Sequence, residues 1–466
     1  MAAVVSFTIY DLETTGLNPH YDQVVQFGAV RFNARLEIID RFQIRSRLQP
    51  HIIPSPGALA VTDTPIAELL GDAHPTHFEM MREINRVLRS WGASVFIGYN
   101  SLRFDEEFLR HAFYQTLHDP YLTNKENNTR GDALRLIRAA VHFRPDLIST
   151  PIGPDGVPST KLTDVAAALG FKVERGHEAM IDVEMTAFVC QQIARRAPEV
   201  WARFLQFTTK AATVEFMQTE EAFVLFHPTG EGRGCYVVSF FGRHPKIANF
   251  HYCLDLSNDL DALRSMTQEE LNAALAGSKI VRKVKANAAP VLFPVYEGLE
   301  KAFSPLTEDE VSRKAASLRA DTEFVERLMA AAVANERVYP RSDNVEDQLY
   351  QEGMGFFDDQ DSHIMGEFHK ADWPERPGFI GQLRDSRLKR LAQRQIYFER
   401  PDLLSATIRS ALGQAIRERR FAEGEVPWRT LAAARRELDE VRDPDARGLE
   451  GYSGYLEHLG KADGQG

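Results

Sequence analysis

Residues 7 to 19 read FTIYDLETTGLNP, and this stretch decides which fold the chain can adopt. Phe7 and Ile9 are typical of a buried strand, yet Asp11 and Glu13 follow where the apolar run would otherwise continue. Side chains alternate between the two faces of a strand, so both carboxylates project from the same side. Two like charges at such short range repel, and a cation between them relieves the repulsion. Acids at a sheet end that simply face water are the alternative interpretation.

Length and composition limit the classes of protein that remain. The chain has 466 residues, 44% of them apolar and 26% charged, and at about 150 residues per domain this length predicts three modules. No stretch is long and apolar enough to span a bilayer, and the N-terminus lacks the basic region of a signal peptide, so we expect a cytoplasmic protein. The three cysteines have no CxxC spacing, which argues against a zinc ribbon or a disulfide framework. A net charge of −11 argues against diffuse binding to polyanions but leaves room for a local basic groove.

The pattern of strand-like and helical segments changes twice along the chain. Up to about residue 195, short strand-like runs alternate with helical ones, which favours an α/β domain. The runs VVQFGAVRFN and LEIIDRFQIRSR, separated by Ala34 and Arg35, predict a hairpin and therefore a mixed sheet. From 220 to about 295, strand-like runs between turn residues indicate a largely β domain with one helix, MTQEELNAAL, and after about 305 nearly every segment is helical. We expect domains at 1–197, 198–350 and 351–466.

Further candidate ligands follow the two acids along the chain. Asp105 lies in GYNSLRFDEEFLR, just after the strand-like run VFIGYN and at the start of an amphipathic helical segment. His177 and Asp182 lie in GHEAMIDVEMTAF, the histidine in a glycine-containing loop and the aspartate near the start of a helix. Each acid alone has an ordinary explanation, because acidic residues near helix N-termini cap the helix and interact with its dipole.

The order DxE, then Asp in a YNxxxFD context, then HxxxxD resembles the DEDDh family of 3′→5′ exonucleases. The resemblance implies that two divalent metal ions bind at the active site and that His177 is the general base. Carboxylate oxygens suit Mg²⁺, with Mn²⁺ as a substitute, better than zinc. A histidine titrates near neutral pH, so its neutral form can accept the proton of the attacking water. The implied metal ligands are Asp11, Glu13, Asp105 and Asp182.

The resemblance extends over the whole chain, which is similar to the bacterial exodeoxyribonuclease I family. It rests on segments such as NTRGDALRLIRA and GVPSTKLTDVAAALGF and, far from the nuclease motifs, SDNVEDQLY. It implies an RNase H-like exonuclease domain with a mixed sheet, an SH3-like β domain and a C-terminal helical domain. The implied activity is Mg²⁺-dependent 3′→5′ hydrolysis of single-stranded DNA to 5′-mononucleotides in DNA repair and recombination, by an enzyme expected to be a monomer.

A groove for single-stranded DNA is implied by the same resemblance. Three residues of this groove could neutralise phosphates, and Tyr121 could stack on a base. The alternative is that the arginines are solvated charges on amphipathic helices and that Tyr121 closes a loop. The runs KIVRKVK and RDSRLKRLAQR are candidates for the groove walls or, alternatively, solvated faces. The carried-over groove residues are Glu13, Arg110, Tyr121, Arg138 and Lys161.

The sequence departs from the family pattern at residues 14–17, which read TTGL, and at two places where an aromatic residue is expected. Gly131 stands where an aromatic residue is expected before Asp132. A tryptophan expected after Pro120 and Tyr121 is also absent, and that segment contains Lys125 instead. The departures at Gly131 and after Tyr121 each remove an aromatic surface from that side of the groove.

A protein partner is also implied by the resemblance, namely the acidic, Phe-ended C-terminal tail of single-stranded DNA-binding protein. Arg144 in HFRPD carries over to that contact, and a surface arginine beside a proline turn is the alternative interpretation. Two other functions remain open. An exonuclease acting mainly on RNA or on duplex 3′ ends would use the same centre, whereas a binding protein with an inactive nuclease domain would lack an acid or the histidine, and none is missing.

Overall fold

A computed structural model describes residues 6–154, 156–172, 179–227, 234–302, 304–336, 340–351 and 354–462. Its first sheet has five strands, which are β1 (Ser6–Thr14), β2 (Val24–Asn33), β3 (Ile38–Arg45), β4 (Val95–Gly98) and β5 (Thr129–Asp132). The helices of this part of the chain are α1 (Pro56–Thr62), α2 (Ile66–Leu70), α3 (His77–Trp91), α4 (Asp105–Gln115), α5 (Ala133–Phe143), α6 (Leu162–Ala168), α7 (Ala179–Arg196), α8 (Pro198–Gln206) and α9 (Lys210–Thr219).

The first sheet is mixed, as the sequence predicted. Its strand order is β3-β2-β1-β4-β5. β1 pairs antiparallel with β2 and parallel with β4, and β4 pairs parallel with β5. The predicted hairpin is confirmed, because β2 and β3 are adjacent and antiparallel. The carboxyl ends of β1, β4 and β5 therefore lie at the same edge of the sheet, where ligands commonly bind in α/β proteins.

β1 is the central strand, and its two faces are buried against different helices. Phe7 and Ile9 belong to a hydrophobic cluster with α5, α7 and α8. Tyr10 belongs to a cluster on the opposite face with α3 and α4. Because side chains alternate along a strand, Asp11 and Glu13 continue the face of Phe7 and Ile9 beyond the apolar core.

The second sheet confirms the predicted β module. All its neighbouring strands pair antiparallel, in the order β10-β6-β7-β8-β9. These strands are β6 (Phe223–Phe226), β7 (Cys235–Arg243), β8 (Phe250–Asp255), β9 (Val281–Lys285) and β10 (Val291–Pro294). The associated helices are α10 (Leu260–Ser265), α11 (Gln268–Leu275), α12 (Val295–Gly298), α13 (Glu308–Ala320) and α14 (Thr322–Ala334). The predicted helix MTQEELNAAL is α11, and it begins with a capping box between Thr267 and Glu270.

The C-terminal region is helical, as predicted, over the part that the structure describes. It packs back onto the first module through two hydrophobic clusters, one around Phe78 and Tyr114 and the other around Leu59 and Tyr452. Gly448 permits the second contact, because a Cβ atom there would come within 1.8 Å of the Leu59 carbonyl oxygen. The helices are α15 (Asp359–Lys370), α16 (Pro377–Ile380), α17 (Ser386–Glu399), α18 (Ala406–Arg420), α19 (Leu431–Asp439) and α20 (Tyr452–Ala462).

The first two modules share part of their core. The ring of Trp201 in α8 lies 5.6 Å from that of Phe7 in β1, so α8 packs on the first sheet although it follows residue 197. The same cluster includes Val224 and Phe293 of the second sheet. The predicted domain boundaries stay a prediction. Among the helices that the structure describes, none is long and apolar enough to cross a membrane.

Candidate active site

The site lies at the carboxyl ends of β1 and β4. Asp11 and Glu13 are on the last residues of β1, and α4 begins at Asp105, shortly after β4 ends. The Asp105 carboxylate accepts a hydrogen bond of 3.1 Å from the backbone N–H of Leu12, the residue between the two strand acids. Three of the four predicted metal ligands are therefore neighbours at this edge of the sheet.

Asp182 reaches the same place from α7. Gly28 in β2 pairs with Asp11, and a Cβ atom on Gly28 would come within 3.2 Å of Ala179, the first residue of α7. The absence of a side chain at Gly28 therefore lets the start of α7 approach the sheet beside Asp11. Asp182 lies in the first turn of this helix.

The electrostatics of Asp11 show that the four acids influence one another. Burial raises the pKa of Asp11 well above its ordinary value, and the carboxylates of Asp105, Glu13 and Asp182 raise it further. Burial also raises the pKa of Asp105 to about 7, although the hydrogen bond from Leu12 opposes this shift. Such mutual repulsion is the expected property of carboxylates that share a cation.

The four predicted metal ligands are of the chemical type that binds a divalent metal ion. Its ligands would all be hard carboxylate oxygens, which Mg²⁺ and Mn²⁺ prefer. Within the residues that the structure describes, no three acidic, histidine or cysteine side chains already form an arrangement that could hold a metal ion. The metal-ligand role of the four acids stays a prediction. So does the role of His177 as general base, because His177 lies outside the described residues.

The loop after Glu13 is organised by Asp22. The Asp22 carboxylate accepts a hydrogen bond of 2.9 Å from the backbone N–H of Asn18. Gly16 packs directly on this carboxylate, because a Cβ atom at that position would come within 2.4 Å of it. Arg429, from the C-terminal region, lies 2.9 Å from the same carboxylate and neutralises it. The active-site loop thus depends on a charge pair with a distant part of the chain.

Glu106, next to Asp105 on α4, is the centre of a buried network of charges. Its carboxylate accepts hydrogen bonds of 2.8 Å from both Arg110 and Arg130, and one of 3.0 Å from the hydroxyl of Tyr10. Burial by itself would raise the pKa of Glu106, but Arg130 and Arg110, together with hydrogen bonds from Thr123 and Tyr10, hold the pKa below its ordinary value. Neither Glu106 nor Arg130 stands out in the sequence, where the only local signal is the i,i+4 spacing of Glu106 and Arg110.

Arg110 and Tyr121, two predicted groove residues, are in contact. The Arg110 side chain is 6% exposed and pairs with both Glu106 and Glu107. Its guanidinium lies 5.2 Å from the centre of the Tyr121 ring, which also contacts the exposed ring of Phe356 edge-on at 5.3 Å. The charge of Arg110 is therefore already balanced by two carboxylates, and a direct contact of Arg110 with phosphate stays a prediction.

The two departures at aromatic positions have different structural settings. The Lys125 ammonium lies 5.5 Å from the centre of the Tyr121 ring and binds Asp119 at 2.7 Å, so a cation stands beside Tyr121. At Gly131, a Cβ atom would come within 2.4 Å of the Phe204 ring. Phe204 thus occupies the space that a side chain at position 131 would need.

Arg138 and Lys161 lie near Tyr99, which directly follows β4. Burial raises the pKa of Tyr99 to about 12, while the charge of Arg138 opposes this shift. The Tyr99 hydroxyl donates a hydrogen bond of 2.6 Å to the carbonyl of Thr160, the residue before Lys161. Arg138 is half-buried and Lys161 is exposed, so their predicted contact with the substrate backbone stays a prediction.

Arg144 lies on the surface at the end of α5. Its guanidinium binds Asp146 at 3.1 Å and also pairs with Glu199 at the start of α8. These two carboxylates raise the pKa of Arg144, so its positive charge is permanent. An acidic peptide would therefore compete with two internal partners for Arg144.

Three comparisons relate this geometry to known proteins. A family model described as Exonuclease (RNase_T) matches residues 8–190, which include all the predicted catalytic positions. Exodeoxyribonuclease I of Haemophilus influenzae is 30% identical over 381 residues, covering 77% of this chain and 79% of the relative. The crystal structure of E. coli exonuclease I in complex with a dA16 oligonucleotide superimposes with a TM-score of 0.86 at 23% identity, covering 98% of this chain and all of that one. A solved exonuclease I/SSB-Ct complex matches with a TM-score of 0.83 at 22% identity, covering 99% of each chain.

The RNase H-like fold and the acidic edge of its sheet define a 3′→5′ exonuclease, of a kind that depends on divalent metal ions. The match to exodeoxyribonuclease I of Haemophilus influenzae, at 30% identity over more than three quarters of both chains, identifies the family within this class. The chain belongs to the exodeoxyribonuclease I family.

Proposed function

We propose that this protein hydrolyses single-stranded DNA from the 3′ end and releases 5′-mononucleotides, with Mg²⁺ as its metal ion. The observation that carries the proposal is the gathering of the four acids: the amide of Leu12, between Asp11 and Glu13, donates to Asp105, and the first turn of α7, which contains Asp182, packs against Gly28 beside Asp11. Four mutually repelling carboxylates at the end of a central strand are costly unless they bind cations. The role in DNA repair and recombination, the cytoplasmic location and the monomeric state belong to the same proposal.

In this proposal the chain supplies the ligands, the base and the strand contacts. Asp11, Glu13, Asp105 and Asp182 would hold two Mg²⁺ ions, which when bound stabilise the charge on the attacking and leaving oxygens. The Leu12 amide fixes the orientation of the Asp105 carboxylate. His177 would accept the proton of the attacking water.

Preference for a single strand is supported by the surroundings of the acids. Tyr121 and Phe356 offer aromatic rings near α4, and bases of any sequence stack on such rings. Arg138 and Lys161 provide positive charge near the end of β4 for the sugar-phosphate backbone. The similar E. coli enzyme was solved with a dA16 oligonucleotide, which supports the same substrate class for this chain.

We extend the proposal to a protein partner, the C-terminal tail of single-stranded DNA-binding protein. The structural match to an exonuclease I/SSB-Ct complex supports this partner. Arg144 is our candidate contact, because it is permanently charged and about one third exposed. An acidic tail would replace Glu199 or Asp146 as its partner.

The test uses the same sequence as end-labelled single-stranded DNA, as RNA and as a blunt duplex, each with Mg²⁺ and with EDTA. We expect mononucleotides from the 3′ end of single-stranded DNA, no reaction in EDTA, and a rate on the duplex at least about tenfold lower. Binding should weaken steeply with salt, with a slope of about −0.7 per phosphate contact. Equal rates on duplex and single strand, or faster hydrolysis of RNA, would refute the proposed specificity.

A further inference from the structure

The Glu106 network joins the exonuclease module to the rest of the chain. Arg130 binds Glu106 through one guanidinium nitrogen and donates a hydrogen bond of 2.9 Å from another to the carbonyl of Asn287, between β9 and β10. Arg110 likewise binds Glu106 through one guanidinium nitrogen and donates a hydrogen bond of 2.8 Å from another to the hydroxyl of Tyr350. One buried carboxylate thus fixes two arginines whose other ends contact later parts of the chain.

Both contacts are reinforced by neighbouring residues. The Tyr350 hydroxyl donates in turn to Glu107, also at 2.8 Å. Arg135, on α5, donates to the carbonyl of Ala289 at 3.2 Å, in the same turn as Asn287. A guanidinium is planar and its donors point in fixed directions, so the orientation that Glu106 imposes on one edge determines where the other edge points.

The position of this network relative to the acids indicates what it controls. Glu106 adjoins Asp105. Arg110 lies five residues beyond Asp105 along α4, which corresponds to about 7.5 Å at a rise of 1.5 Å per residue. Tyr121 contacts Arg110, and Tyr350 contacts it as well. The contacts that Glu106 organises therefore lie on the helix that begins at Asp105, and they include Tyr121, the proposed stacking residue.

We infer that Glu106 is a positioning residue for long substrates, which holds Arg110 and Arg130 so that the Asn287 turn and Tyr350 close over the strand next to the catalytic acids. This inference rests on the proposed function. A short substrate that occupies only the acidic site does not need the closed contacts. A long strand does, because in the proposed function its next bases stack on Tyr121, which contacts the Arg110 that Glu106 holds.

The test replaces Glu106 by glutamine, which keeps the shape of the side chain and removes its charge. Hydrolysis is measured on a trinucleotide and on a strand of about 40 nucleotides, longer than the roughly 4–16 that one binding site covers. For Glu106→Gln we expect at least a tenfold fall in kcat/KM on the long strand, mainly through KM, and less than a threefold fall on the trinucleotide. A merely structural role would lower both rates by the same factor, and that result would overturn the inference.

A second variant keeps the test decisive if Glu106→Gln does not fold. Tyr350→Phe removes only the hydroxyl that joins Arg110 to Glu107, on a ring that is 47% exposed. Its matched control is Tyr296→Phe on a more exposed tyrosine outside the network. We expect Tyr350→Phe to raise KM for the long strand about threefold, whereas Tyr296→Phe leaves it unchanged; equal behaviour of the two variants would overturn the inference. If the unmodified protein hydrolysed neither substrate, the proposed function would have failed instead.

Discussion

The backbone amide of Leu12 donates a hydrogen bond of 3.1 Å to the carboxylate of Asp105. Because Leu12 stands between Asp11 and Glu13, this bond sets the distance between the strand acids and the helix acid. These three carboxylates belong to one unit built from β1 and the start of α4. Asp182 does not belong to this unit, because it reaches the site from α7, which packs on the face of β1 that Asp11 and Glu13 continue.

Replacing Asp11 by asparagine should abolish hydrolysis and leave the melting temperature unchanged or higher. Burial and three neighbouring carboxylates raise the pKa of Asp11, so its charge destabilises the folded state at neutral pH in the absence of metal. Nuclease assays in Mg²⁺ and thermal melts in EDTA measure the two effects. Asp72→Asn, on a residue whose side chain is 91% exposed, is the control and should change neither. A clearly lower melting temperature for Asp11→Asn would contradict the repulsion argument.

Replacing His177 by alanine should slow turnover by roughly 10²–10⁴-fold, the usual contribution of a general base. The four carboxylates are unchanged in this variant, so Mn²⁺ binding measured by calorimetry should stay close to that of the unmodified protein. Single-turnover hydrolysis of labelled single-stranded DNA measures the chemical step. A rate near that of the unmodified protein would remove His177 from the mechanism.

A methyl group at Gly131 should destabilise the fold by about 1–3 kcal/mol, the usual cost of overpacking a core. The physical reason is the Phe204 ring, which stands 2.4 Å from the position of the new Cβ atom. Gly366→Ala is the matched control, because Gly366 lies exposed inside α15 with no atom near its Cβ position, and there alanine should stabilise by about 0.5–1 kcal/mol. Urea unfolding compares the two, and Phe204→Leu should restore stability to Gly131→Ala. An unchanged midpoint for Gly131→Ala would show that Phe204 moves aside freely.

Substitutions at Arg144 and at its partner Glu199 should change the affinity for the tail peptide in opposite directions. Arg144→Ala should weaken binding of an acidic, Phe-ended tail peptide about tenfold, as expected for a charged hydrogen bond. Glu199→Gln should strengthen it, because Glu199 competes for the same guanidinium. Fluorescence anisotropy of a labelled peptide measures both. Arg400→Ala removes an arginine with the same i,i+2 pairing to an aspartate and should have no effect; equal affinities for all variants would exclude Arg144 from the interface.

The fold was predictable where the signal was local. The alternation of Phe7 and Ile9 followed by two acids was sufficient to predict the central strand, and the short interval at Ala34 and Arg35 predicted the hairpin. The position of Asp105 beside the strand acids was predictable because it begins a helical segment shortly after a strand-like run. Each of these inferences depends on residues that are close in sequence.

The remaining features depend on long-range packing and could not be predicted in this way. The basic run RDSRLKRLAQR was interpreted as a groove wall or a solvated face, but Arg387 is fully buried and donates to the carbonyl of Gln348. Arg394 of the same run pairs with the buried Glu346. A charge pattern does not reveal whether an arginine meets solvent or a carboxylate that comes from elsewhere in the chain. Arg110 is a similar case, since its partner Tyr350 lies 240 residues away.

The pairing of Asp22 with Arg429 has a consequence for biosynthesis. The two residues are separated by 407 positions, so at roughly 5–20 residues per second the ribosome adds Arg429 about 20–80 s after Asp22. Throughout that interval the nascent chain has the acids of β1 but lacks the counter-charge that fixes the loop beside them. The loop beside these acids therefore acquires its counter-charge only after the C-terminal helical region has been synthesised, and a fragment that ends before Arg429 lacks this pairing.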